Sequence, residues 1–227
     1  MTDKHVHIYT DGACEGNPGP GGIGFVILSE GTEELFSQGY RHTTNNRMEL
    51  MAAIAGLEIL KEKYTATIYS DSKYLVDAVA HGWAAAWRAD GYIRKGGVRV
   101  PNADLWERLL LLIEEHEVVF SWVKGHSGDP YNEKADQLSY AAIDGENHLE
   151  DAGYIEQLEL EKLAPSKITL EGQPCRKCGA PVVKKKPDAK PKPGQSSYYE
   201  YYLFCPECET RYFVEKAKRE INQGNLF

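Results

Sequence analysis

Residues 5–10 alternate, with Val6 and Ile8 on one face, and the alternation stops at Asp11-Gly12. Residues 21–29 form a second apolar run after a Pro/Gly turn, so the two predict a hairpin, extended by a weaker strand over 35–40. From 47 to 63 the period becomes helical, with Leu50, Ile54, Leu57 and Leu60 on one face, and 65–70 returns to strand. A helix is expected after Asp71-Ser72, and the Ala-rich stretch to Trp87 stays helix-prone. Residues 104–115 place Leu105, Leu109 and Leu112 at helical spacing, 118–123 form a last strand, and a helix over 132–143 follows a Gly-rich loop. Strands first, then helices alternating with strands, predict an α/β fold: a mixed sheet covered by helices.

The chain has 227 residues, enough for one domain of common size and a small appended one. Hydrophobic and charged fractions of 42% and 26% are those of a chain that buries a core. No apolar run is long enough to span a bilayer, and the first residues lack the basic and apolar regions of a signal peptide; a cytoplasmic monomer without membrane contact is expected. The net charge of −8 argues at first against a nucleic-acid partner. Its distribution changes that. Over 144–171, eight acidic residues face Lys162 and Lys167, about −6 on a segment that reads as an acidic connector, partly helical near 154–163. The expected division is therefore 1–143, 144–171 and 172–227.

Asp11, Glu49, Asp71 and Asp136 fall at or near the ends of predicted elements, where core patterning does not explain them. Each has an ordinary reading alone: Asp-Gly is a common turn and Asp71-Ser72 a plausible helix cap. Were the sheet to bring them together, their mutual repulsion would call for a cation, and oxygen ligands favour Mg²⁺ or Mn²⁺.

The segments YTDGACEGNPGPGG, TTNNRMELMAAIAGLE, YSDSKYLV and WVKGHSGDPYNEKADQLS, in this order, resemble the successive motifs of bacterial-type ribonuclease HI over residues 4–142. The resemblance implies a ribonuclease H-like mixed five-stranded sheet and an endonuclease that hydrolyses the RNA strand of RNA–DNA hybrids. It implies two Mg²⁺ ions held by Asp11, Glu49, Asp71 and Asp136, and products with 5′-phosphate and 3′-hydroxyl ends. It makes His126, in a glycine-flanked loop, an aid to proton transfer or product release, for which imidazole chemistry is suited. It also makes Cys14, Glu15, Gly16, Asn17 and Asn45 readers of the hybrid, whose RNA strand is marked by its 2′-hydroxyls, and Thr44 a seat for a DNA phosphate. The asparagines serve equally well as turn and cap residues.

Two departures from the family stand out. Lys73 replaces a glutamine found in the best-known bacterial members and suits a phosphate contact. The segment 81–102, which corresponds to a basic protrusion, carries Arg88, Arg94, Lys95 and Arg99 against Asp90, only about +3, so a weaker, salt-sensitive grip is expected. Trp83 and Trp87 are expected to pack that segment's helix, with a sugar contact by Trp83 the lesser reading. Integrases and transposases use similar acidic clusters, but TTNNRMEL and KGHSG favour the hydrolase. A non-catalytic hybrid-binding protein would be expected to lack a metal carboxylate.

Cys175-x-x-Cys178 and Cys205-x-x-Cys208 resemble the knuckles of a zinc ribbon, predicting one structural Zn²⁺ on four thiolates, with rubredoxin-like iron as an alternative. A thioredoxin-like dithiol would need a larger domain. From 176 to 204, seven basic residues face Asp188 and Glu200, about +5, alongside the run YYEYYLF. An auxiliary nucleic-acid grip, a solvated loop followed by a strand whose tyrosines pack the ribbon, and a protein-docking surface all fit this pattern.

Overall fold

A computed structural model describes residues 5–94, 98–163, 167–187 and 195–220. The chain divides into two compact units, Met1–Tyr92 with Pro101–Gln157 and Ile93–Val100 with Leu158–Phe227.

In the first unit, β1 (His5–Cys14), β2 (Gly19–Ser29) and β3 (Thr32–Thr43) form an antiparallel meander, and α1 (Asn45–Glu58) leads to β4 (Thr65–Ser70), which lies parallel to β1. After α2 (Lys73–Ala80) and α3 (Trp83–Ala89) the short antiparallel pair β5 (Ile93–Arg94) and β6 (Val98–Arg99) belongs to the second unit, and α4 (Ala103–Glu115), β7 (Glu117–Trp122) and α5 (Pro130–Ile143) continue the first. The main sheet runs β7-β4-β1-β2-β3 and is extended beyond the expected five strands by β8 (His148–Leu149), two residues that pair parallel with β3.

Alternation along β1 assigns its two faces. Gly12 faces α1, where an added Cβ would lie 2.3 Å from the backbone of Met48 and Glu49. Tyr9 and Asp11 face α5, through the Tyr131 ring at 5.2 Å and the Ser139 hydroxyl. The α5 backbone seats on a glycine strip: a Cβ at Gly24 would lie 2.2 Å from the Ala135 carbonyl oxygen. The single apolar face expected for the first helix becomes burial on nearly every side of α1, from Arg47 to Leu57, because α1 packs on the sheet and is covered by α4 and α2.

The acidic stretch expected as a connector contributes to this unit. β8 joins the sheet, and Asp151 is 1% exposed, paired with Arg47 at 2.6 Å and accepting from the Thr43 hydroxyl at 2.7 Å. Compact structure therefore continues past residue 143, and α6 (Ala152–Leu163) follows directly.

In the second unit, β9 (Val183–Lys185), β11 (Tyr202–Phe204) and β12 (Arg211–Tyr212) form one antiparallel sheet, and β10 (Ser197–Tyr199) pairs with β13 (Lys218–Glu220). Its core gathers Ile168, Val182, Leu203, Val214 and Ala217 around the cysteines. Among the described residues, no helix is long and apolar enough to cross a membrane.

Candidate active site and metal centre

β1 continues to Cys14 instead of ending at Asp11-Gly12, because Asp11, Gly12 and Ala13 pair with Gly24, Ile23 and Gly22 of β2. On its other side β1 pairs with β4 only as far as Tyr9. Asp11 therefore lies just beyond the point where the sheet opens, and Asp71 follows the end of β4 across that opening. Ser72, not Asp71, caps α2 by accepting from the Leu75 amide at 3.4 Å, which leaves the Asp71 carboxylate for other work. The close approach at Gly12 brings Glu49 in from α1.

Asp11, Glu49 and Asp71 each offer an oxygen within 4.8 Å of the others. Asp11 and Glu49 are buried. Burial, reinforced by the charges of Asp71 and Asp136 and opposed by the Ser139 hydroxyl, pushes the Asp11 carboxyl up to about 6. Burial also holds Glu49 well above the ordinary carboxylate range, with Asp11 and Asp71 adding to the effect. Glu49 Oε2 is buried without a hydrogen-bond partner, which an oxygen-binding cation at this cluster would remedy. The residues fit Mg²⁺ or Mn²⁺ on that ground. Asp136 sits well inside α5, not at its start, and stands outside the close trio while remaining near enough to act on Asp11.

Ser139 had no sequence signal beyond lying one turn after Asp136. Its buried hydroxyl lies 2.8 Å from Asp11 Oδ2 and 2.8 Å from the Asp136 carbonyl oxygen. Trp122 was likewise missed: its indole N–H donates to the Asp71 carbonyl at 3.0 Å, and Lys73 Nζ lies 5.1 Å from its ring centroid.

The other expected site residues flank the cluster. Asn17 accepts from the Asn45 amide at 3.3 Å, and Asn45 Nδ2 donates to Glu49 Oε1 at 3.4 Å, so the turn after β1 is tied to the start of α1. The Glu15 amide donates to the Pro20 carbonyl, and Gly16 takes a φ of +80°. Cys14 is half-buried with its thiol directed at the Gly19 and Thr43 carbonyls, both at 3.6 Å. Thr44 is the N-cap residue of α1 with no side-chain cap bond. His126 is exposed, at φ +50°. Within the basic segment Arg88 is already paired with Glu114, Trp87 packs edge-on against Trp106, and Trp83 is half-exposed and stacked on His81. Lys95 lies outside the described residues.

All four C-terminal cysteines are free thiols, and their sulfurs lie within 4.8 Å of one another, with Cys175–Cys208 at 3.4 Å and Cys178–Cys205 at 3.3 Å. A tetrahedron built on the Zn–S distance has an edge of roughly 3.8 Å, so small outward shifts would accommodate the ion. The two knuckles repeat one hydrogen-bond pattern. Gly179 and Glu209 donate to the Cys175 and Cys205 carbonyls, while the Cys175 and Cys205 amides donate to Ala180 and Thr210. Burial opposes ionisation of Cys175, but the Tyr212 hydroxyl and nearby amides outweigh it and hold the thiol at about 6.

The model of the RNase H family matches residues 3–144. The ribonuclease H of Desulforamulus reducens is 57% identical over 139 residues, covering 61% of this chain and 87% of the relative. That of Escherichia coli is 46% identical over 151 residues, covering 66% and 96%. Among solved structures, LC9-RNase H1, described as a type 1 RNase H with the type 2 active-site motif, is 30% identical with a TM-score of 0.58, covering 69% of this chain and 82% of that one. The cysteine centre falls beyond the end of the family match.

Proposed function

We propose, from the premise that this chain belongs to the RNase H family and is a ribonuclease H, that it cuts the RNA strand of RNA–DNA hybrids internally with two divalent ions, leaving 5′-phosphate and 3′-hydroxyl ends. The observation that carries this reading is the convergence of Asp11, Glu49 and Asp71 at the sheet opening, with Glu49 Oε2 buried and unpartnered.

Asp11, Glu49, Asp71 and Asp136 would hold the ions. Bound there, Mg²⁺ supplies Lewis-acid activation of water and charge stabilisation at the leaving oxygen. The protein's part is positioning. The Gly12 contact fixes the Glu49 backbone against β1, and Ser139 orients Asp11 from α5. His126, exposed in its loop, moves a proton at the departing 3′ oxygen or eases product release. Asn17, Asn45 and the Cys14–Gly16 backbone read the 2′-hydroxyls. Their linkage to Glu49 through Asn45 supports this, because strand recognition and ion position then share one hydrogen-bonded chain. Thr44 and Lys73 seat phosphates of the hybrid. The cysteine centre holds one structural Zn²⁺, the absence of disulfides among the cysteines suits a cytoplasmic chain, and we read that chain as a monomer.

The test is cleavage of a labelled hybrid in Mg²⁺. Wild type should cut the RNA strand and leave the DNA intact, and Asp11→Asn should abolish cutting. A hybrid left whole by the wild type would end this reading.

A further inference from the structure

The three-stranded sheet of the second unit has two unlike faces. Registered partners in an antiparallel pair share a face. Leu203, opposite Lys184 and Tyr212, turns into the core around the cysteines. The neighbouring positions turn away from it: Tyr202 is opposite Lys185, and Phe204 is opposite Arg211. Phe213, next along the chain, continues this outer face; its ring centroid lies 6.2 Å from that of Tyr202, and it is 60% exposed.

On this face cations and rings are interleaved. Lys185 Nζ lies 3.9 Å from the centroid of Phe204, and the Arg211 guanidinium 5.5 Å from that of Tyr202. The rings hold these long side chains over the sheet, so less conformational freedom is lost when an anion arrives. A groove of about 450 Å³ runs here, lined among the described residues by Lys185, Lys186, Tyr202, Phe204, Arg211 and one acid, Glu209. Three cations to one acid select a polyanion, and an exposed ring beside them selects a polyanion that also offers flat π-faces.

We propose that this outer face binds single-stranded nucleic acid, with Lys185, Lys186 and Arg211 on phosphates and Phe213 and Phe204 stacking on bases. A duplex hides its base faces within the stack and would engage only the cations; a single strand satisfies both halves of the surface. The site needs neither the carboxylate cluster nor hydrolysis.

The experiment is fluorescence anisotropy of a labelled oligothymidylate with the full chain across a salt series. Binding should weaken with salt. The double variant Lys185→Gln/Arg211→Gln, at exposed positions, should flatten the log–log slope by about 1.4, since each phosphate contact on a single strand contributes about 0.7. Phe213→Ala should weaken binding at least about fivefold with the slope unchanged, the signature of a lost stack. Both variants should keep the metal content and circular dichroism of the parent and cleave a short hybrid at the parent rate, which separates this site from the nuclease reading. Equal affinity and slope in all three proteins would overturn the proposal. So would insensitivity to Phe213→Ala together with equal affinity for a blunt duplex, which leaves a general electrostatic surface. Capture of a protein partner that oligothymidylate does not displace would assign the face to protein docking instead.

Discussion

The Ser139 hydroxyl lies 2.8 Å from Asp11 Oδ2, joining α5 to β1 across 128 positions of sequence, and both side chains are buried. A hydroxyl donating to a carboxylate favours its charged form. Removing it with Ser139→Ala should raise the Asp11 carboxyl above about 6 and weaken ion retention near neutrality. The acid limb of the pH–rate profile should move to higher pH, with partial rescue by excess Mg²⁺. Stability should fall by only about 1 kcal/mol. A profile that merely drops in height, at unchanged position, would make Ser139 a packing residue.

The same carboxylate gives the metal-free protein a pH dependence of definite sign. Asp11 rises from 3.8 to about 6 on folding, so the folded state holds this proton more tightly than the unfolded one. Its contribution is fully present below about pH 4 and is lost as pH rises through about 6, a change of about 3 kcal/mol by neutrality. Urea unfolding without added divalent ions should therefore show wild type weakening between about pH 4 and about pH 6 relative to Asp11→Asn. Added Mg²⁺ should restore wild type at neutral pH and do little for the inactive variant.

Arg47 and Asp151, 1% exposed each, form a buried pair that also engages Asp104 at 2.7 Å. Arg47→Met leaves Asp151 uncompensated in the core and should cost about 3–5 kcal/mol in chemical denaturation. Ending the chain after Ile143 should destabilise the first unit as well, since it removes Asp151 and leaves the buried Arg47 with Asp104 alone, and it removes β8. Ending it after Gln157 should spare that unit. Equal stability of the two truncations would return Asp151 to a connector role.

Asp151 also marks the limit of what the sequence reveals. The alternation in β1 and the helical period of α1 are local signals, and the strand and helix order follows from them. The three clustered carboxylates were legible only through their motif neighbourhoods, because each fits a turn or a cap when taken singly. Asp151 sits among seven other acids that give the segment a solvated look, and its burial depends on Arg47, 104 residues away. Ser139 carries no more signal than any helical serine. The continuation of β1 past Asp11-Gly12 was hidden by a dipeptide that ordinarily marks a turn, whereas here pairing with β2 overrides it. Long-range partners, not residue type, decide these cases.

For the cysteine centre, spacing and geometry agree: the four sulfurs converge, and each knuckle repeats the same hydrogen bonds. The core around them is small, with Val182, Leu203 and Val214 among its few aliphatic members, so metal ligation should supply much of the second unit's folding free energy. Cys205→Ser should lower bound metal to near zero and open the segment after residue 167 to proteolysis. The first unit, whose core is separate, should keep its urea midpoint. Zinc should appear by elemental analysis of the wild type, with iron instead giving a visible absorption band. A Cys205→Ser protein that still retains one equivalent of metal and resists protease would mean that the second unit stands on its apolar contacts alone.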